Sequence, residues 1–482
     1  MDTTTSLFTF DELEKYTKGV WKNTESCMIK SVNSITTDTR SDCRDSLFLA
    51  LSGVNFDAHD FLDKAVNLGA SALCLEKGKY NINSLPNNLP ILEVENTLKA
   101  YQDIAKNYRL SLSNLTLIAI TGSNGKTSTK EILKDVLSQG FGENVIYATK
   151  ANTNNHIGVP LNILNLRSHH KYAIIELGTN HPGEIDIITS VASPDIAIIT
   201  SIASSHLEFF KNLNGVAEEK SNILNHFKNG KKNNIAVIPI DILKYKSIKN
   251  KLNNIKYITF DNNDKNSDIT YKFISTDVAT TSFSLKWKNC QKENFAKWSI
   301  PGKHQISNAA AVAVTASFLG IPYDKICLYF AKCKLSGMRM KINRIQDTFW
   351  INDAYNANPD STKAGLEYMS DIIKTKKFKA SYIVLGDMLE LGDDTVKSHS
   401  KTIKQAQNLL PDSTIILIGD LMQKALSECN DLLSNQKTIK HFPSTEEAAE
   451  YINNNLEEND IVYLKGSRGM KLENIEQSFL HL

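Results

Sequence analysis

Apolar residues fall in short, near-continuous runs along most of this chain, separated by stretches with helical spacing. The runs Leu115–Thr121, Tyr172–Leu177, Ile196–Ser201 and Ile235–Pro239 are apolar at consecutive rather than alternate positions. Consecutive apolar positions mean burial on both faces, which predicts a parallel sheet covered by helices on each side. A second alternation of the same kind begins after "KLSGMRMKI", with strands predicted near Thr348–Asn352, Ser381–Gly386, Thr414–Ile418 and Ile461–Lys465. Ahead of both, up to about Leu112, "DSLFLAL" reads as a short strand and "HDFLDKAVNLGASALCL" as a helix rich in Ala and Gly. The expected fold class is α/β in three domains: an N-terminal α+β domain over 1–112, a central parallel-sheet domain over 113–336 and a C-terminal Rossmann-like α/β domain over 337–482. No internal repeat or low-complexity linker interrupts this order.

Length agrees with that division, since 482 residues exceed one core and fit two to four domains of about 100–200 residues. A hydrophobic content of 41% and a charged content of 22% are those of an ordinary globular protein. The net charge of +2 supplies no field that would draw nucleic acid or an acidic membrane. Lysines gather between Lys228 and Lys256, but among Asn and Ile and without patterned aromatics, which predicts a solvated surface. The seven cysteines are scattered and form no C-x-x-C pair, so neither a disulfide framework nor a zinc site is indicated. "MDTTTSLFTFDELEKY" lacks the basic and apolar regions of a signal peptide, and no apolar run approaches the ~20 residues of a membrane span. A cytoplasmic protein is expected.

The most informative stretch follows the first central strand. Gly122-Ser123-Asn124-Gly125-Lys126-Thr127 leads into a helix whose stripe is Ile132, Leu133, Val136 and Leu137, predicted to stop at Gly140. Strand, Gly-rich turn and helix start are the setting of a phosphate-binding loop. Gly122 and Gly125 would let backbone amides close around phosphate oxygens, with the positive end of the helix behind them, and Ser123 and Asn124 of the same loop are expected to bind ATP. Lys126 would supply a point charge for the β/γ-phosphates and the Thr127 hydroxyl a ligand for Mg²⁺, with Ser128 next in the first turn. The general pattern G-x-x-x-x-G-K-[ST] is not met, because Ile120 stands where its first glycine belongs.

A phosphoryl-transfer loop also needs carboxylate help with its metal. Glu176, in "YAIIELG", and His206, in "ITSIASSHLEFF", each follow a buried strand of the same sheet, where doubly wound sheets hold ligands. Taken singly, Glu176 reads equally as a helix-capping charge and His206 as a loop histidine satisfied by backbone. Together they favour a site.

The shortened loop, Thr121 followed by G-x-x-G-K-T, resembles that of the Mur ligase family and the related folylpolyglutamate synthetases. The resemblance extends over "TTDTRSDCRDSLFLALSGVNFDAHDF", "NTNNHIGVPLNIL", "ELGTNHPGEI", "PGKHQISNAAAVAV", "NDAYNANPDS", "VLGDMLELG" with His399, and "VYLKGSRGMKLE". It implies a uridine-nucleotide domain with Thr39 and Arg40 at its substrate, and Asn154 and Asn155 near a sugar diphosphate. It further implies Asn308 as reader of the adenine, Asp353 near the ATP ribose, and Tyr355, Asn356 and Asn358 shaping an inter-domain cleft. Lys220, on its face an ordinary surface lysine in "AEEKSNIL", is implied to be carbamylated and to join Thr127, Glu176 and His206 around Mg²⁺. Arg339, at the inter-domain joint, reads as a nucleotide-phosphate or hinge contact and equally as a structural arginine. Four departures stand out: Gln305 and Asn352 replace the family's Asn and Asp, Thr39 replaces Ser, and Ala58 replaces Gly in Asp57-Ala58-His59.

The family branch most similar over these stretches adds D-alanyl-D-alanine to UDP-N-acetylmuramoyl-tripeptide. The implied reaction is an ATP- and Mg²⁺-dependent ligation through an acyl phosphate, with Lys126, Glu176, His206 and Lys220 as catalytic residues in a monomeric cytoplasmic enzyme. The competing readings are a sibling ligase adding one amino acid, a folylpolyglutamate synthetase, and a non-catalytic ATP-binding switch.

Overall fold

The computed structural model describes residues 7–25, 27–53, 56–228, 234–429 and 439–480. Lys231 and Lys232 of the lysine-rich stretch lie outside them. Lys228 is buried and donates to the Leu112 carbonyl at 3.1 Å, so that end of the stretch is not solvated surface.

Three large sheets follow one another along the chain. The central one has nine strands, in the spatial order 146–148, 172–176, 116–121, 196–199, 235–239, 256–261, 269–276, 281–287 and 294–298. From 146–148 to 269–276 all neighbours are parallel; the last two pairings are antiparallel. The chain therefore leaves Thr116–Thr121 towards one edge, returns beside it as Tyr172–Glu176, and then continues on its other side as Ile196–Ile199. This reversal leaves the carboxyl ends of three strands opening onto one crevice. Register brings Glu176 opposite Ile120 and Ile199 opposite Thr121, so the three loops start at nearly the same height.

Helices Lys126–Phe141 and Gln305–Phe318 pack on one face of this sheet, burying Ile132, Leu133, Val136 and Leu137 against Ile118, Ile120 and Ile174. Helix Thr97–Ser111 covers the other face, and its core runs without a break into the N-terminal sheet through Ala100, Ile104, Leu47 and Leu92. Arg109 of this helix is wholly buried against Asp195 at 2.7 Å. The N-terminal sheet has five strands, four of them parallel, with Val20–Lys22 antiparallel at its edge. The C-terminal sheet has six, ordered 341–345, 348–352, 461–465, 381–386, 414–418 and 439–442, with a core on each face.

Several predicted elements differ in extent. The helix after the loop runs to Phe141, and Gly142 at φ +97° ends it. Gly140 serves packing instead: a Cβ there would lie 2.6 Å from Cδ1 of Ile321. "HDFLDKAVNLGASALCL" is helical only to Asn67, after which Ala72–Glu76 is a strand buried on both faces. The antiparallel strands at the sheet's edge are absent from the sequence reading, because an outward Phe295, 68% exposed, obscures the alternation of Asn294, Ala296 and Trp298 facing inward. All seven cysteines are free, and among the described residues no helix is long and apolar enough to cross a membrane.

Candidate active site

The crevice is built around the loop 122–127. Gly122 lies at φ +148°, and a Cβ on it would sit 2.0 Å from Oγ1 of Thr200; Gly125, at φ +84°, would meet Oδ1 of Asn308 at 2.4 Å. Neither position admits a side chain. The loop is fastened to the turn after strand Ile196–Ile199. The Ser123 amide donates to the Ser201 carbonyl at 2.9 Å, the Asn124 amide to Ser201 Oγ at 3.0 Å, and Ser123 Oγ to the Ala203 carbonyl at 3.0 Å. Those two amides are thus engaged by the turn after Ile199. The first intrahelical bond is from Thr129 to Gly125, which leaves the amides of Lys126, Thr127 and Ser128 at the helix start to meet an anion.

Lys126 folds back over the loop and donates to the carbonyl of Gly122 at 2.8 Å. Burial pushes its ammonium below the ordinary lysine range, and Glu176 partly offsets this. Glu176 is 3% exposed at its strand end. It accepts from Thr127 Oγ1 at 2.9 Å and from Asn154 Nδ2 at 3.0 Å. Arg339 donates to the same Thr127 hydroxyl at 3.2 Å and lies 3.7 Å above the ring of Tyr355. Four segments far apart in sequence therefore converge on one hydroxyl–carboxylate pair.

His206 has a left-handed backbone, φ +52°, and its Nδ1 lies 2.6 Å from Oε2 of Glu390 in the C-terminal domain. Burial holds its pKa below the usual histidine value, with Glu390 opposing and Lys220 and Lys126 adding to the effect. Lys220 is 1% exposed, and its amine has no hydrogen-bond or ion-pair partner among the described residues. Burial first, and then Lys126, drive its pKa well below the ordinary lysine range, with Glu219 and Glu184 opposing. The neighbouring Glu219 faces elsewhere, accepting from the amides of Gly183 at 2.7 Å and Ile185 at 2.8 Å.

The donor set suits one hard cation: Thr127 hydroxyl and Glu176 carboxylate are oxygen ligands of the kind Mg²⁺ takes. Among the described residues no three His, Cys, Asp or Glu side chains are grouped to hold a metal. A second cation fits only if Lys220 becomes an anion, since Lys126, Lys220 and Arg339 otherwise outnumber the single carboxylate.

Asn308 lies against Gly125, accepting from Thr129 Oγ1 at 3.2 Å and donating to Gln305 Oε1 at 2.7 Å. The longer amide of Gln305 spans from Asn308 to His304 Nε2 at 3.2 Å. Asp353 pairs with the buried Lys465 at 2.7 Å and accepts from the Met340 amide at 3.2 Å. Asn352 donates its amide to Glu476 at 2.6 Å, a contact the family's Asp would replace with two opposed carboxylates. Asn358 caps helix Pro359–Thr375 through Ser361, and its Nδ2 donates to Asn124 of the loop at 2.8 Å.

The structure thus brings together the loop, Asn154, Glu176, His206, Lys220, Asn308, Arg339, Tyr355 and Asn358. Other residues stand apart from this cluster. Arg40 is folded on Asp38 at 2.8 Å on an exposed N-terminal turn next to Thr39. Asn155 accepts from the amides of Ile157 at 3.1 Å and Gly158 at 2.8 Å ahead of helix Gly158–Leu164, and Asn356 binds its own loop while its carbonyl accepts from Lys465 at 2.9 Å. Sequence reasoning did not single out Glu390, Lys465 or Ser201. All three lie in quoted stretches, but no local pattern marks which serine fastens the loop or which acid or lysine reaches across a cleft.

Residues 120–316 match the Mur ligase middle domain and residues 338–468 the Mur ligase glutamate ligase domain. The UDP-N-acetylmuramoyl-tripeptide–D-alanyl-D-alanine ligase of Buchnera aphidicola subsp. Baizongia pistaciae is 37% identical over 456 residues, 93% of each chain. That of Rickettsia prowazekii is 33% identical over 92% of this chain and 94% of its own. Among solved structures, MurF of Acinetobacter baumannii superposes with a TM-score of 0.86 at 27% identity, covering 98% of this chain and 99% of that one. The chain belongs to the Mur ligase family.

Proposed function

We propose that this Mur ligase joins D-alanyl-D-alanine to UDP-N-acetylmuramoyl-tripeptide, converting ATP to ADP and phosphate, for peptidoglycan synthesis. A carboxylate oxygen is a poor leaving group in water, so the tripeptide carboxylate must first take the γ-phosphoryl of ATP. The resulting acyl phosphate is attacked by the free amine of D-alanyl-D-alanine, and phosphate departs from the tetrahedral intermediate with the former carboxylate oxygen.

Lys126 and the free amides of the loop helix cradle the β/γ-phosphates, and Arg339 adds charge from the far side. Thr127 and Glu176 would hold Mg²⁺, which would neutralise phosphate charge when bound. His206 and a carbamylated Lys220 would complete a second position, and burial favours the uncharged Lys220 amine, the form that adds CO₂. Asn308 contacts the adenine and Asp353 the ribose. Thr39, Arg40, Asn154 and Asn155 serve the uridine–sugar end, while Tyr355, Asn356 and Asn358 line the cleft that closes over the amine substrate. The enzyme works as a cytoplasmic monomer.

The observation carrying this reading is the convergence of Thr127, Glu176, Asn154 and Arg339 at the head of one sheet, beside relatives of that name over nearly the whole length. A phosphate-release assay with ATP, Mg²⁺ and UDP-muramoyl-tripeptide tests it, using D-alanyl-D-alanine against single amino acids and glutamate as amine. Release that depends on D-alanyl-D-alanine is expected. Release with another amine would favour a sibling ligase, and ATP binding without turnover a switch.

A further inference from the structure

The carboxylate that meets His206 is carried on a loop built to deliver it. Asp387 caps helix Asp420–Ser427, accepting from the amides of Leu421 at 3.2 Å and Met422 at 2.9 Å. The Met388 amide donates to Nε2 of the buried His399 at 2.9 Å, whose Nδ1 donates to the Thr395 carbonyl at 2.7 Å. The Leu389 amide donates to Ser467 Oγ at 2.9 Å. Three consecutive residues are thus held by three different elements, and Glu390 follows in the left-handed region at φ +62°. His206, opposite, is left-handed as well. Backbone strain on both sides of a domain boundary persists only where the surroundings fix it. The two chains also approach closely at Gly392, where a Cβ would lie 3.1 Å from Cα of Glu208.

A neutral imidazole that donates Nδ1–H to a carboxylate keeps its lone pair on Nε2, and such outer partners set ring orientation and ligand strength. We propose that Glu390 is a positioning residue. Docking of the C-terminal domain brings its carboxylate onto Nδ1 of His206, fixes that tautomer, and frees Nε2 for the phosphate and metal side of the site. Assembly of the site is thereby tied to domain docking. The inference rests on the reading of His206 as a site residue, and it assigns a role to Glu390 that the ligation chemistry alone does not require.

The test is ¹⁵N NMR of the histidine-labelled full chain, with the His206 signal identified by His206→Gln. Wild type is expected to carry the proton on Nδ1. Glu390→Gln, which keeps an acceptor oxygen, should retain that tautomer, whereas Glu390→Ala should lose it. Calorimetry with Mn²⁺ and a non-hydrolysable ATP analogue should show about 10-fold weaker metal binding in Glu390→Ala and little change in Glu390→Gln. Matching thermal melts would show that both variants fold. An unchanged tautomer and metal affinity in Glu390→Ala overturns the proposal, as does a Gln variant as impaired as Ala. Because the NMR readout needs no substrate, a wild type that binds no ATP analogue would count against the ligase reading instead.

Discussion

Replacing Gly125 by alanine tests whether the loop depends on both its backbone conformation and its contact with Asn308. A non-glycine residue at φ +84° incurs about 1–2 kcal/mol of steric strain. The new Cβ would also lie 2.4 Å from Asn308 Oδ1, so Asn308 must withdraw. Withdrawal breaks its bonds to Thr129 and Gln305, each worth about 0.5–1.5 kcal/mol. The sum is about 2–5 kcal/mol, or roughly a 30- to 4,000-fold loss of affinity if it all falls on nucleotide binding. Gly78 is the control: it has φ +81° but nothing within 4 Å of its would-be Cβ, so Gly78→Ala meets the strain alone. Calorimetric titration with an ATP analogue, together with thermal melts, measures both variants. Gly125→Ala should lose ATP affinity far more than Gly78→Ala, whose small loss of stability should leave binding intact. Equal behaviour of the two would refute the argument that Asn308 and Gly125 form one unit.

Lys126→Ala should lower phosphate release by about 100-fold or more while leaving UDP-muramoyl-tripeptide affinity nearly unchanged, and parallel loss of both would contradict the separation of the two sites. Lys220 should exchange with CO₂, so activity in carbonate-depleted buffer should fall and recover on adding bicarbonate; indifference to bicarbonate argues against the carbamate. Burial lowers the pKa of His304 from 6.5 to about 4. Between those values the unfolded chain binds a proton that the folded chain refuses, so stability should fall as pH drops from 6.5 towards 4. His304→Phe should flatten that slope by a few kcal/mol in urea titrations across the window, and an unchanged slope would show that the ring is not buried in its neutral form.

The amino-acid sequence alone determined the elements that are buried on both faces. Thr348–Asn352, Ser381–Gly386, Thr414–Ile418 and Ile461–Lys465 are strands with the predicted limits, because short apolar runs rich in β-branched and aromatic residues suit a strand buried on both faces. It also marked Gly122 to Thr127, Glu176 and His206, since strand ends of a parallel sheet are where polar residues interrupt apolar runs. It did not determine the antiparallel edge, where Phe295 points outward, nor where "HDFLDKAVNLGASALCL" turns from helix to strand. Only the tertiary structure decided which polar atoms meet. Loop amides of Ser123 and Asn124 are taken by Ser201, Asn155 accepts from two amides just ahead of a helix, and Lys220 is stripped of solvent by a fold its local sequence does not describe. Glu390 reaches His206 across 184 positions of chain. Periodicity reports which face of an element is dry; hydrogen bonds and pKa values depend on what the opposing surface presents, and that is set by how separate elements dock.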